Sequence, residues 1–304
     1  MKYLNLFSNK YKKVLSFDGG GVRAIIGIYF LKRLEQETSK SIFDSFDLFI
    51  GTSAGATNAL MLGVNGSSIA DIEKFWTKEN LQKIMNQSFI DKTSILQTRP
   101  KYNNEGKKEI LSKFFSHKQI GEALKPVIVT AYDLEERKPV LISSYRDSKV
   151  SVVEAANASS AAPIYFPTVD MRDGRWLIDG GIATNNPSLL GYIEAKKLFG
   201  TDKIKVLGIG AGLNKRKING RSSRNWGAIG WLRHDILGIM LESSLQNEIL
   251  KDLIGDKYLR VNSAIHKVNR RMDDISDQNL LRIRELSDQW WSKFGKKAVN
   301  FINS

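Results

Sequence analysis

The apolar run Asp47-Leu48-Phe49-Ile50 ends in Gly51-Thr52-Ser53-Ala54-Gly55 and passes directly into Ala56-Thr57-Asn58-Ala59-Leu60-Met61-Leu62. The first segment reads as a strand and the last as a helix, so the chain turns sharply at the serine between them. A strand, a glycine-flanked serine and a helix form the pattern of a nucleophile elbow, in which the turn lifts the hydroxyl clear of the sheet. Only glycine fits where the flanking backbone crowds.

Strand and helix patterns alternate elsewhere along the 304 residues. Lys13–Phe17, Pro126–Tyr132, Val140–Ile142, Ile204–Ile209 and Lys257–Val261 read as strands. Val22–Glu37 carries Ile25, Ile28, Tyr29, Leu31 and Leu34 at helical spacing. This alternation predicts an α/β fold with a mostly parallel central sheet covered on both faces. Residues 64–120 hold polar helical segments (Ile69–Leu81, Glu105–Phe115) and no clear strand, which reads as an insertion or lid over one end of the sheet. Leu280, Ile283, Leu286, Trp290 and Phe294 predict a C-terminal amphipathic helix over 281–304, packed either on its own domain or on a bilayer. No repeat or low-complexity linker divides the chain, so residues 1–304 are expected to form a single domain with a core at about 13–280.

Cysteine is absent, which excludes disulfides, thiolate metal sites and a cysteine nucleophile and fits a reducing compartment. Met1–Phe7 is too short and broken for a signal-peptide core, and no apolar run is as long as a membrane span. A cytoplasmic protein is expected, with peripheral attachment at the inner face of the membrane as an extension of that reading. The formal charge of +14 favours anionic partners. Lys215, Arg216, Lys217, Arg221 and Arg224, interleaved with Trp226 and Trp231, suit an interface with anionic lipid headgroups. Specific nucleic-acid binding rests on charge alone, since no recognition motif accompanies it.

Serine hydrolysis needs a nucleophile, a base and donors for the oxyanion. Ser53 is the candidate nucleophile, and the backbone N–H of Ala54 is a natural oxyanion donor. Asp18-Gly19-Gly20-Gly21 lies at a strand–helix junction, where consecutive glycines leave backbone N–H groups uncovered. Arg23 follows in the first turn, either supporting negative charge in the site or paired with a carboxylate such as Asp18. Gly19-x-Gly21-x-x-Ala24 also fits a dinucleotide-binding fingerprint, but the second strand ends in Ile50-Gly51-Thr52-Ser53, without the acid that would bind ribose. Asp179, in Leu177-Ile178-Asp179-Gly180-Gly181, is the candidate base, placed at a strand end where partial burial raises a carboxylate pKa. Two rivals stand beside this reading. One is a triad of Ser53, Asp179 and His234 or His266; the other is a phosphate- or nucleic-acid-binding module without hydrolysis.

Together the motifs at 18–23, 51–55 and 179–181 resemble the patatin-like phospholipase family, with its D-G-G-G-x-R loop, G-x-S-x-G elbow and D-G-G/A motif. Ala158–Pro167, Pro100-Lys101-Tyr102, Thr130–Leu134, Leu207–Gly212 and Met272-Asp273-Asp274 extend the likeness over about 13–280. Ala24 departs from the glycine common after the arginine, a benign change in a helix. The resemblance implies a three-layer α/β/α fold and a Ser53–Asp179 dyad without histidine, calcium, other metal or cofactor. It also implies that Gly19, Gly20, Gly21 and Ala54 form the oxyanion hole. The implied activity is that of a phospholipase A or lysophospholipase, cleaving carboxylic esters of membrane glycerophospholipids through an acyl-enzyme.

Overall fold

The computed structural model describes residues 10–86, 98–234, 236–241 and 245–304. Met1–Phe7 and residues 87–97 of the expected insertion lie outside the described residues. One sheet is built from β1 (Lys12–Phe17), β2 (Leu48–Thr52), β3 (Val127–Asp133), β4 (Lys138–Ser143), β5 (Val169–Asp170), β6 (Trp176–Asp179), β7 (Ile204–Ile209) and β8 (Tyr258–Val261). Its order is β5-β6-β3-β2-β1-β7-β8, with β4 also paired to β3. The run from β3 to β8 is parallel, whereas β3–β4, β3–β6 and β5–β6 are antiparallel.

Side-chain alternation divides the core into two layers, because successive strand residues face opposite sides of the sheet. In β1, Leu15 and Phe17 pack with Leu34, Leu60 and Trp290 on one face. Val14 points the other way, toward Ala195, Phe199 and Leu250. The first face is covered by the helices Ile25–Thr38, Ala54–Gly63, Val152–Ser159 and Asp277–Asn303. The second is covered by Ser188–Phe199 and Leu245–Ile254. The result is the three-layer α/β/α arrangement expected from the sequence.

Two boundaries differ from the sequence reading for local reasons. The glycine loop enters a 3-10 turn (Gly21–Ala24) before the α-helix begins at Ile25. The segment 69–81 is two helices, Ile69–Phe75 and Lys78–Ile84, broken where the Thr77 hydroxyl caps the second by accepting from the Asn80 N–H. The helices of 64–120 carry buried Ile69, Ile72, Leu81, Ile110 and Phe115 into the main core, so the described part of this segment is a packed wall. The C-terminal helix is longer than expected, and its apolar stripe is covered by its own domain. Trp291 packs on Phe30, Phe301 stacks on Phe46, and Trp290 donates to the Ser263 hydroxyl at 2.8 Å. That stripe is therefore not a bilayer-binding surface.

The partners of β3 position the site. One edge is taken by β4 along Ile128–Asp133. The other edge is shared, with Val127–Thr130 pairing to β2 and Ala131–Asp133 to β6. Since β2 runs parallel to β3 and β6 antiparallel, these two strands approach each other end to end.

Candidate active site

Ser53 begins where β2 stops, with φ 55° and ψ −126°. This backbone region is strained for a residue bearing a Cβ, and such strain persists only where the surroundings enforce it. The Ser53 N–H donates to the Ser159 hydroxyl at 3.0 Å, and the Ser53 carbonyl accepts from the Ala56 N–H at 2.9 Å. Just upstream, the Thr52 hydroxyl donates to the Thr184 carbonyl, so the Thr130 hydroxyl must donate to Thr52; both bonds are 2.8 Å. The flanking glycines are dictated by space. A Cβ on Gly51 would stand 2.2 Å from the Gly55 carbonyl oxygen, and one on Gly55 would stand 2.5 Å from that of Asp18.

Asp179 ends β6 and caps the following 3-10 turn, accepting from the Gly181 N–H at 2.7 Å. The Ser53 hydroxyl lies near enough to the same carboxyl to favour its ionised form. Burial pushes the carboxyl up to about 6, against the opposing pull of the Ser53 and Gly181 donors and the Lys107 charge. A carboxylate held there is ionised at neutral pH yet basic enough to accept a proton.

The glycine loop packs against this pair, since a Cβ on Gly19 would lie 3.2 Å from that of Ser53. Gly20, Gly21 and Ala54 line the cavity described below, at the starts of two helical segments where backbone N–H groups lack intrahelical partners. The Gly19 N–H instead donates to the Asn185 carbonyl at 3.1 Å, and Gly19 is not part of the cavity wall. Arg23 is buried and likewise absent from that wall. The partner of Asp18 is Arg260 from β8, not Arg23: the guanidinium forks onto both carboxylate oxygens, with one bond of 2.7 Å. This buried pair ties the strand leading into the glycine loop to the far side of the sheet.

Ser53 and Asp179 open onto a cavity of about 730 Å³. Its walls are mainly apolar, with Phe75, Trp76, Leu81 and Leu111 contributed by the 64–120 segment and Phe166 by the loop before β5. Lys107 lies in the same wall, and nothing in the sequence around it marks it out. Its ammonium is 3.9 Å from the centre of the Phe166 ring and donates to the Ser160 carbonyl at 3.1 Å. Burial pulls its pKa down to about 7, partly offset by the charge of Asp179. Farther out, the buried Asp273 carboxylate accepts from Tyr102 at 2.8 Å and pairs with Lys101 and Arg271, joining two sides of the cavity.

None of the three histidines lines this cavity. His117 and His266 are exposed, and His234 is stacked on Trp226, with Nδ1 2.8 Å from the Gly230 carbonyl. The histidine triad therefore has no base in place. The dinucleotide fingerprint also lacks its ribose-binding acid, because β2 ends at the elbow. Among the described residues no group of three or more His, Cys, Asp or Glu side chains is placed to hold a metal. Among them, too, no helix is long and apolar enough to cross a membrane.

The chain is similar to several known proteins. The chain is 28% identical to Patatin-like protein 1 of Arabidopsis thaliana over 91% of its own length and 80% of the relative's. It is 27% identical to the cGAMP-activated phospholipase of Pseudomonas aeruginosa over 82% and 77% of the two chains. Among solved structures, VipD from Legionella pneumophila superposes with a TM-score of 0.54 at 15% identity, covering 96% of this chain and 67% of that one, a likeness of fold. The family model for the patatin-like phospholipase matches residues 15–190, more than half of the chain. This protein belongs to the patatin-like phospholipase family of serine hydrolases.

Proposed function

We propose that the chain is a lipid acyl hydrolase of phospholipase A or lysophospholipase type, working through a Ser53–Asp179 dyad. The observation that carries this reading is that the strained Ser53 and the buried Asp179 line one cavity, brought together by strand ends that meet along β3. Family membership and the phospholipase among its relatives support a lipid ester as the substrate. An apolar cavity of this size suits an acyl chain.

In the first step Ser53 Oγ attacks the ester carbonyl while its proton passes to Asp179. The tetrahedral oxyanion lies against the N–H groups of Gly20, Gly21 and Ala54, which stand at helix starts and act as preorganised dipoles. Collapse expels the lysophospholipid or glycerol alcohol, which takes the proton from Asp179 and leaves Ser53 acylated. Water then attacks the acyl-enzyme with Asp179 again as base, releasing the fatty acid and restoring the hydroxyl. Gly19 serves by bringing the loop close to Ser53. Arg23 is a buried neighbour of the glycines in the chain and does not reach the substrate cavity.

The membrane is reached as a peripheral surface in this reading. The exposed Lys215–Arg224 stretch, with exposed Ile218 and Ile229 nearby in the chain, offers cations and apolar side chains to an anionic bilayer. The test is fatty-acid release from mixed phospholipid vesicles in the presence of chelator. Wild-type release is expected, with losses of at least about a thousandfold in Ser53→Ala and Asp179→Asn, since such groups act as a unit. Near-normal release by Ser53→Ala would overturn the reading.

A further inference from the structure

A second cavity, of about 420 Å³, adjoins the first, and its chemistry differs. Gly238 and Arg270 line both, so the two cavities meet at these residues. The smaller one is walled by Arg216, Lys217, Asn219, Ser222, Trp226 and Arg270 among others, with no carboxylate among the described residues that line it. Among the described residues, Arg216, Lys217 and Arg270 enter no ion pair. Three cations thus line one concavity, with no described carboxylate beside them. The neutral groups add donors of the same sense. Asn219 Oδ1 is occupied by the Ser222 N–H at 3.1 Å, which leaves its amide NH2 as the group to offer. Trp226, stacked on His234 with ring centres 3.7 Å apart, gives the pocket one firm wall.

We propose that this pocket binds a phosphate group, and that during catalysis the phosphate is that of the phospholipid whose acyl chain occupies the adjoining apolar cavity. The inference rests on the lipid-hydrolase reading for the identity of the carrier, and on the lining alone for the phosphate. Guanidinium groups match phosphate oxygens with paired N–H donors, and a phosphodiester or monoester accepts from several donors at once. Arg270 belongs to both walls, so an anion beside it stands next to the acyl cavity. A neutral di- or triacylglycerol would place uncharged groups there and leave the cations uncompensated. The pocket therefore selects phosphate-bearing lipids over neutral glycerides.

The test uses the full chain carrying Ser53→Ala, so that ligand binds without turnover, and follows intrinsic tryptophan fluorescence. The probes are dihexanoyl phosphatidylglycerol, dihexanoylglycerol and glycerol 3-phosphate at constant ionic strength. The phosphate-bearing lipid is expected to bind at least about tenfold more tightly than the neutral one, and adding Arg216→Gln and Lys217→Gln removes that preference, as loss of charge-assisted bonds does. Both substituted side chains are exposed, so an unchanged melting temperature separates lost binding from lost folding. Glycerol 3-phosphate binding that is also lost in the variant extends the site to soluble phosphates; its absence ties the site to lipid-borne phosphate. Equal binding of the two lipids, or a preference that survives the double substitution, would overturn the proposal. A preference that holds while wild-type protein hydrolyses no lipid would instead sink the hydrolase reading and leave the pocket standing.

Discussion

Ser53 directly follows β2 and Asp179 ends β6, two strands that share one edge of a third: β2 ends opposite Thr130 and β6 ends opposite Ala131. The two strands run toward each other along β3, so their last residues meet without any loop having to carry one to the other. A hydroxyl and a carboxylate on sheet-end backbone are held more tightly than the same pair on loops, which favours the near-attack geometry that acyl transfer needs.

With the Asp179 carboxyl near 6, the rate of ester cleavage is expected to rise with pH through about 6 and level off above it. The sign follows from the role: the proton acceptor must be ionised, and protonation below its pKa removes it. A pH–rate profile on a soluble ester checks this. A rate that fell as pH rose from 5 to 7 would contradict it.

Asp179→Asn should be inactive yet more stable than wild type. Burial raises the folded carboxyl from 3.8 to about 6, so holding it ionised costs on the order of 2–3 kcal/mol above that pH, at about 1.4 kcal/mol per pKa unit. The advantage of the variant should shrink as pH falls through 6 and vanish below about 4, where folded and unfolded carboxyls are both protonated. Urea titrations at pH 8 and pH 4 measure the difference.

Substitution at the elbow should separate space from strain. Gly51→Ala and Gly55→Ala each force a Cβ into backbone and should each cost at least about 2 kcal/mol of stability. At position 53, Gly should be more stable than Ala by about 1 kcal/mol, because it relieves φ 55°, ψ −126° at some cost in unfolded-state entropy. Denaturant midpoints of the four variants give the ranking.

Lys107→Met removes a buried positive charge that lowers the Asp179 pKa. The acid limb of the pH–rate profile should therefore move to higher pH, while a purely structural lysine would lower the plateau and leave the limb in place. Lys107→Arg, which keeps the charge, should restore the limb toward its wild-type position.

Arg260→Ala leaves Asp18 buried without its partner, and breaking such a pair costs about 3–5 kcal/mol. A lowered melting temperature accompanied by slower acylation is expected, since Asp18 directly precedes the glycine loop. An unchanged melting temperature would show that the pair does not anchor that loop.

What the sequence makes legible is whatever a short segment must satisfy by itself. Gly51, Ser53 and Gly55 fit one kind of turn, and the Asp179-Gly180-Gly181 run marks a strand end, so both halves of the site can be read locally. Arg260 is 242 residues from Asp18 and sits in an ordinary strand, so nothing in its neighbourhood signals an ion pair. Lys107 reads as one more lysine on a polar helix until the fold turns it beneath Phe166. β5 has only two residues, too few for a pattern. For the C-terminal helix, the 3.6-residue repeat reports an apolar stripe but not what covers it; helix Ile25–Thr38 does, through pairs such as Phe30 and Trp291.

In the proposed mechanism Ser53 is a nucleophile activated by Asp179. The most direct measurement is labelling by a fluorophosphonate probe, read by intact mass and peptide mapping. One label at Ser53 is expected in the wild type, with labelling abolished in Ser53→Ala and slowed by at least about a hundredfold in Asp179→Asn, in line with the loss of a general base. Labelling of Asp179→Asn at the wild-type rate, or a label on any residue other than Ser53, would contradict the claim.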